Sequence, residues 1–321
     1  MTPPAEAEPL AVGMDIGGTK IAGGVVTRDG RVLDRTKVPT PPHDQEATAA
    51  ALLAVTDELL ARNPGVEAIG LGAAGMVEWP SGQARWAPHN TYRRMELRRL
   101  LHERTGLPTM VDNDANVAAW AEARFGAGAG TDDLVLVTVG TGIGGGLVLD
   151  GRLYHGAHGF AGELGHMIVH PDGDLCACGN RGCLEAMASG STLGRLGREA
   201  AAADPGGRLA SLAEPTGGPV TGEIVFAAAS EGDKAALALF QQIGYWLGVG
   251  IASLVTIFDP DLVVVGGGVA ATGELLLAPA RVSFERYVHG RAYRDLPPVV
   301  LTRLGADAGL VGAATLALAR G

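Results

Sequence analysis

A two-domain α/β architecture is predicted by three features of the sequence: its length, a strand–glycine turn–strand unit near the N-terminus, and a second such unit near the middle. The 321 residues suffice for two domains of ordinary size with a cleft between them. In the first unit the strand-like runs Leu10 to Ile16 and Ile21 to Val26 flank Gly17-Gly18; in the second, Leu134 to Val139 and Ile143 to Leu149 flank Gly140 to Gly142. The repetition points to a duplicated α/β plan with one glycine-rich turn in each half.

Taken in order, the first segment reads as an antiparallel meander, with Arg31 to Lys37 as its third strand after Asp29-Gly30 and Pro39, Pro41 and Pro42 as its stop. Gln45 to Arg62 is rich in helix formers and leads to a strand at Val66 to Leu71. A short strand, Thr109 to Val111, precedes a helical stretch running to Arg124. After Thr221 the pattern is helical as far as Phe258, followed by a strand at Asp261 to Val265, the turn Gly266 to Gly268, and a closing helix at Asp307 to Ala319. The expected domains are 1–115 with 305–321, a small α/β domain, and 116–304, a larger one.

Composition narrows the class. A net charge of −10 leaves no basic field of the kind that holds nucleic acid or anionic lipid, so neither partner is expected. The arginines between Arg93 and Arg99 are the local exception and read as a solvated helix face. Met1 to Pro9 has three prolines, two glutamates and no basic residue, unlike a secretory or transit segment. The uncharged run Ile243 to Phe258 is sixteen residues with three glycines, short of the ~20 apolar residues of a membrane helix, and fits a buried core helix. A cytoplasmic protein whose three cysteines are not paired as disulfides is expected.

Several short segments carry chemistry. Asp15-Ile16-Gly17-Gly18-Thr19-Lys20 follows an apolar strand, where a glycine pair admits phosphate oxygens and a carboxylate can hold Mg²⁺; an ordinary hairpin turn is the other reading. Thr138 to Gly146, with Gly140-Thr141-Gly142 at its turn, is a second such segment. Neither ends in the Gly-Lys-Ser/Thr of a Walker A loop, and neither keeps the dinucleotide-binding spacing ahead of a helix. In Asp112-Asn113-Asp114-Ala115-Asn116, Asp114 reads either as a helix N-cap or as a general base accepting a hydroxyl proton, with Asn113 orienting the substrate. His166, Cys176, Cys178 and Cys183 offer three thiolates and one imidazole, a closed tetrahedral set for structural zinc rather than free thiols. Glu163 and Glu185 flank that loop, either as partners of a sugar with His166 or as supports of the metal ligands.

Together these segments resemble the ROK family of sugar kinases and sugar-responsive repressors. The resemblance rests on Asp15 to Lys20, Gly72-Ala73-Ala74-Gly75, Asn90, Asn113-Asp114, Gly140 to Gly146, Glu163 to His166, Cys176 to Glu185 and Gly266 to Gly268, in that order along nearly the whole chain. Many members have a proline where this chain has Ala74. The resemblance implies an actin-like, ribonuclease-H-related sugar kinase fold of two domains with the sugar in the interdomain cleft. It further implies Asp114 as catalytic base and Gly75, Asn90, Asn113, Asp114, Glu163, His166 and Glu185 as sugar-binding residues. Asp15, Gly17, Gly18, Thr19, Lys20, Thr141 and Gly142 would hold the phosphates and Mg²⁺, with Gly267 and Gly268 near the adenosine.

The expected activity is ATP-dependent phosphorylation of glucose at the 6-hydroxyl. Alternatives are a related hexose kinase acting on fructose, mannose, allose or N-acetylmannosamine, a polyphosphate-using glucokinase, or a non-catalytic sugar sensor. Only fourteen residues precede Asp15, too few for the winged helix-turn-helix of the family's repressors. The family implies a homodimer or homotetramer.

Overall fold

The computed structural model describes residues 8–41, 44–87 and 92–320. In chain order its first part comprises β1 (Leu10–Ile16), β2 (Lys20–Thr27), β3 (Val32–Pro39), α1 (Gln45–Arg62), β4 (Val66–Ala73), β5 (Met76–Glu78), β6 (Gln83–Trp86), β7 (Met95–Glu96), α2 (Leu97–Thr105), β8 (Thr109–Asn113) and α3 (Asp114–Phe125). There follow β9 (Leu134–Val139), β10 (Ile143–Leu149), β11 (Arg152–Leu153), α4 (Leu184–Ala188), α5 (Gly190–Ala203), α6 (Arg208–Ala213), α7 (Gly222–Ser230), α8 (Lys234–Phe258), β12 (Leu262–Gly266), α9 (Glu274–Tyr287), β13 (Val299–Leu301) and α10 (Ala308–Arg320).

These elements form two compact units. The first holds residues 1–132, 146–162 and 303–321; the second holds 133–145 and 163–302. The sequence expectation ended the first domain at residue 115 and resumed it at 305. The first unit instead keeps all of α3, because α3 packs on α10 closely enough that a methyl at Gly312 would lie 1.8 Å from the Val117 carbonyl oxygen. It also keeps Glu122, fully buried, whose carboxylate accepts from the backbone N–H groups of Ala127, Arg303 and Leu304. One charged side chain thus fixes the end of α3 and the approach to α10, and its burial is offset by those donors.

In the first unit the sheet order is β3-β2-β1-β4-β8. β1, β2 and β3 are the expected antiparallel meander, and β4 and β8 join β1 in parallel. Helix α1 buries Leu52, Val55 and Leu59 against Ile21, Ile69 and Leu71 in a continuous apolar core. Helix α10 approaches so closely that a methyl at Gly13 or Gly70 would come within 2.0 Å of a backbone oxygen of α10, a packing only glycine permits. A small sheet, β5-β6-β7, completes this unit.

A second five-stranded sheet has the order β11-β10-β9-β12-β13, and the chain passes from the second unit to the first within β10. In the second unit β9, β12 and β13 are parallel. The helical region after Thr221 is two helices, since Gly232 at φ +85° breaks it and Asp233 caps α8 through the Ala236 N–H. The uncharged run Ile243 to Phe258 lies within α8, which is long and apolar enough to cross a membrane; it buries Ile243, Leu247, Ile251 and Val255 and packs on α4, α5, α7 and α9.

Candidate active site

Register dictates what meets at the end of the first sheet. Asp15 of β1 aligns with Gly72 of β4, which aligns with Asp112 of β8; one step on, Ile16, Ala73 and Asn113 form the next row. These are the carboxyl ends of parallel strands, where open α/β sheets place their ligands. Asp15 lies against the first turn of α10, where a methyl at Gly309 would sit 2.8 Å from its Oδ2. The turn to β2 is closed by the Gly17 N–H donating to the Lys20 carbonyl at 3.0 Å, leaving Gly18, Thr19 and Lys20 exposed.

Asp114 is the first residue of α3 and not its N-cap. Asn113 caps the helix, its Oδ1 accepting from the N–H groups of Ala115 (2.8 Å) and Asn116 (3.1 Å) while its backbone stays extended. Asn113 Nδ2 donates to the Gly75 carbonyl at 3.0 Å, so among the described residues one N–H of that amide remains for a ligand. Gly75 takes φ +95°, and a side chain there would strike the Trp86 carbonyl at 2.4 Å. Burial pushes Asp114 above the usual carboxylate range, against its hydrogen bond from the Ala115 N–H. Burial first, and the Asp114 charge second, push Asp15 up to about 7, with Lys20 acting in the opposite direction. Two recessed carboxylates therefore share the end of this sheet, a potential that favours a divalent cation or a proton. Asn90 lies outside the described residues.

The second unit repeats the plan. β9 and β12 are parallel, with Thr138 opposite Gly266, so the turn Gly140 to Gly142 and the pair Gly267-Gly268 leave adjacent strand ends. Gly267 adopts φ +90° where a methyl would lie 2.5 Å from the Val139 oxygen, and the Val269 N–H donates to that oxygen at 2.9 Å. The Gly140 carbonyl accepts from the Gly190 N–H at 2.7 Å, fixing the start of α5 beside the turn. Thr141, Gly267 and Gly268 have solvent-facing surfaces, and Gly142 is partly covered by Glu185. No glycine repeat marks the start of α5 at Gly190, so the sequence alone does not place it beside the turn.

The ligand atoms of His166, Cys176, Cys178 and Cys183 all lie within 4.8 Å of one another. Cys178 Sγ is 3.6 Å from Cys183 Sγ, and Cys176 Sγ is 3.6 Å from His166 Nδ1. A tetrahedron with metal–sulfur bonds of ~2.3 Å has edges of about 3.8 Å, so the cluster fits a zinc ion. Burial first, and the neighbouring thiols second, push Cys183 up to about 12, a penalty that a divalent cation at the centre removes. The knuckle is shaped by the Cys176 N–H donating to Asn180 and the Gly179 N–H donating to Cys176.

Of the two carboxylates that flank this loop, Glu163 is exposed and has its Oε2 4.0 Å from His166 Nε2, the ring nitrogen turned away from the sulfurs. Glu185 joins two features the sequence keeps apart. Its Oε2 accepts from the Ile143 N–H at 2.9 Å, and its Oε1 lies 3.7 Å from Cys176 Sγ. The metal loop and the glycine turn are therefore tied through one side chain.

A two-domain α/β fold with a glycine turn at the carboxyl end of each sheet, and recessed carboxylates beside one of them, defines the actin-like class of phosphotransfer proteins. Within that class the chain belongs to the ROK family, whose family model matches residues 11–320. It is 40% identical over 310 residues to a glucokinase of Streptomyces coelicolor, spanning 96% of this chain and 97% of that one. Among solved structures it is similar to a ROK family glucokinase from Streptomyces griseus in complex with glucose and AMPPNP, at 44% identity and TM-score 0.88, spanning 97% of this chain and all of that one. A ROK hexokinase from Thermus thermophilus is 41% identical with TM-score 0.78, over 97% of this chain and 100% of that one.

Proposed function

We propose that the protein is a glucokinase, transferring the γ-phosphoryl group of ATP to the 6-hydroxyl of glucose. The observation that carries the reading is the recessed Asp114 carboxylate at the start of α3, directly after Asn113, which ends β8 one row beyond Asp15 at the carboxyl ends of β1, β4 and β8. It is supported by full-length similarity to proteins named as glucokinases, one of them a complex with glucose and a nucleotide.

Asp114 accepts the proton of the attacking hydroxyl, and its raised pKa makes it a better proton acceptor than an ordinary carboxylate. Asn113 spends its free N–H on the sugar; Gly75, Asn90, Glu163, His166 and Glu185 complete the sugar contacts. Thr141 and Gly142, with Gly17, Gly18, Thr19 and Lys20, offer N–H groups and a cation to the phosphates, and Gly267-Gly268 leave room for the adenosine. Asp15 would hold Mg²⁺, which when bound would neutralise charge on the phosphates. His166, Cys176, Cys178 and Cys183 would hold zinc, which when bound would cross-link the loop bearing Glu163 and His166.

Unpaired cysteines fit a reducing compartment, and we assign the protein to the cytoplasm. The exposed apolar side chains Ile257, Val282, Tyr287 and Tyr293 on the second unit favour a homo-oligomer.

Sugar phosphate formation, measured across glucose, fructose, mannose, allose and N-acetylmannosamine with ATP or polyphosphate as donor, tests the assignment. Glucose with ATP should give the highest kcat/KM. Preference for another sugar or donor would reassign the specificity, and absence of turnover with every pair would remove the kinase reading.

A further inference from the structure

A buried histidine lies behind the proposed base. His155, in the segment after β11, is 7% exposed, and its Nε2 is 2.6 Å from Oδ2 of Asp112, itself 2% exposed. An ionised carboxylate only accepts, so Nε2 carries the proton and donates. The other oxygen, Asp112 Oδ1, accepts from the backbone N–H of Asn113 at 2.8 Å and from Asn116 Nδ2 at 2.9 Å. One carboxylate thereby grips the residue before α3 and a side chain inside its first turn, on either side of Asp114. Trp79 stacks on the imidazole with ring centroids 4.2 Å apart, and the Trp79 N–H donates to the His158 carbonyl at 3.1 Å. The ring is held by its neighbours and not by solvent.

The geometry points to His155 as a positioning residue for phosphoryl transfer, acting through Asp112 on the Asn113–Asp114 pair. The inference rests on Asp114 being the base of the proposed kinase. Burial of the Asp112 charge is offset by its donors, and among the described residues His155 is the one on Oδ2. Without it the carboxylate turns toward other donors, and the Asn113 N–H loses its fixed acceptor. Asn113 caps α3 and bonds Gly75, so the displacement passes to Asp114. A shift of about 1 Å at a reacting group is enough to lower the rate on the order of 10²-fold.

Three variants separate positioning from stability. His155→Leu removes the donor; His155→Asn carries an amide nitrogen one bond short of Asp112; His155→Gln places one near the position of Nε2. All are compared with the unsubstituted protein for kcat, KM for glucose and glucose binding at a temperature where each is folded. His155→Leu and His155→Asn should lose roughly 10- to 100-fold in kcat, more than they lose in glucose affinity, and His155→Gln should recover most of the loss. If the leucine variant does not fold, the asparagine–glutamine contrast carries the test. A kcat within about twofold of the unsubstituted protein in the asparagine or leucine variant, or an equal loss in glutamine and asparagine variants, overturns the inference. An unsubstituted protein without sugar-dependent turnover fails the kinase reading instead, so the two failures are distinguishable.

Discussion

Replacing Asp15 by Asn should make the protein more stable at alkaline pH. Burial and the neighbouring Asp114 hold the Asp15 carboxyl at about 7, against 3.8 in an unfolded chain. Between those values the folded protein keeps a proton that the unfolded chain has lost, so stability falls as pH rises through this window and levels off above 7. From pH 5 to pH 8 only the two pH units below 7 count; at ~1.36 kcal/mol each, the parent loses up to about 3 kcal/mol through this site. Asparagine cannot ionise, and Asp15→Asn lacks that part of the fall. Urea denaturation at the two pH values, without nucleotide or Mg²⁺, gives the comparison directly. The variant should gain up to about 3 kcal/mol on the parent between pH 5 and pH 8. Parallel pH dependences in the two proteins would refute the reasoning, because the carboxyl would then titrate alike folded and unfolded.

Two further substitutions address the second unit. Cys176→Ser should lose bound zinc, read by elemental analysis, and weaken glucose binding by roughly tenfold as the Glu163–His166 loop loosens; metal loss with unchanged sugar affinity would leave the cluster without a role at the site. Gly142→Ala puts a methyl 2.2 Å from Glu185 Oε2, forcing that carboxylate off the Ile143 N–H. A hydrogen bond to a charged group is worth about 1.5–3 kcal/mol, so the KM for ATP should rise roughly tenfold or more in initial-rate kinetics; an unchanged KM would detach the turn from nucleotide binding.

Much of the site was legible because its signals are local. The turns at Gly17-Gly18 and Gly140 to Gly142 punctuate apolar runs, and both strand pairs fall where the sequence puts them, as do α1 and the closing helix, within a residue or two. The Cys₃His set is likewise a matter of spacing. What escaped depends on tertiary partners. The strands of β5-β6-β7 are two to four residues long, too short for a period to register. Asp114 and Asn113 both suit an N-cap, and only the backbone geometry shows that Asn113 takes the position. Glu122 and His155 sit in ordinary sequence; their importance comes from hydrogen-bond partners 181 residues away in one case and 43 in the other, which no local pattern announces. The expected boundary at residue 115 cuts through α3, whereas the contact of α3 with α10 carries the unit on to Asp132.

The central claim is that Asp114 takes the proton from a glucose hydroxyl as ATP is consumed. Glucose-dependent ADP release should be readily measured in the unsubstituted protein. It should fall on the order of 10²-fold or more in Asp114→Asn, while glucose still binds. Near-normal turnover in that variant would contradict the account.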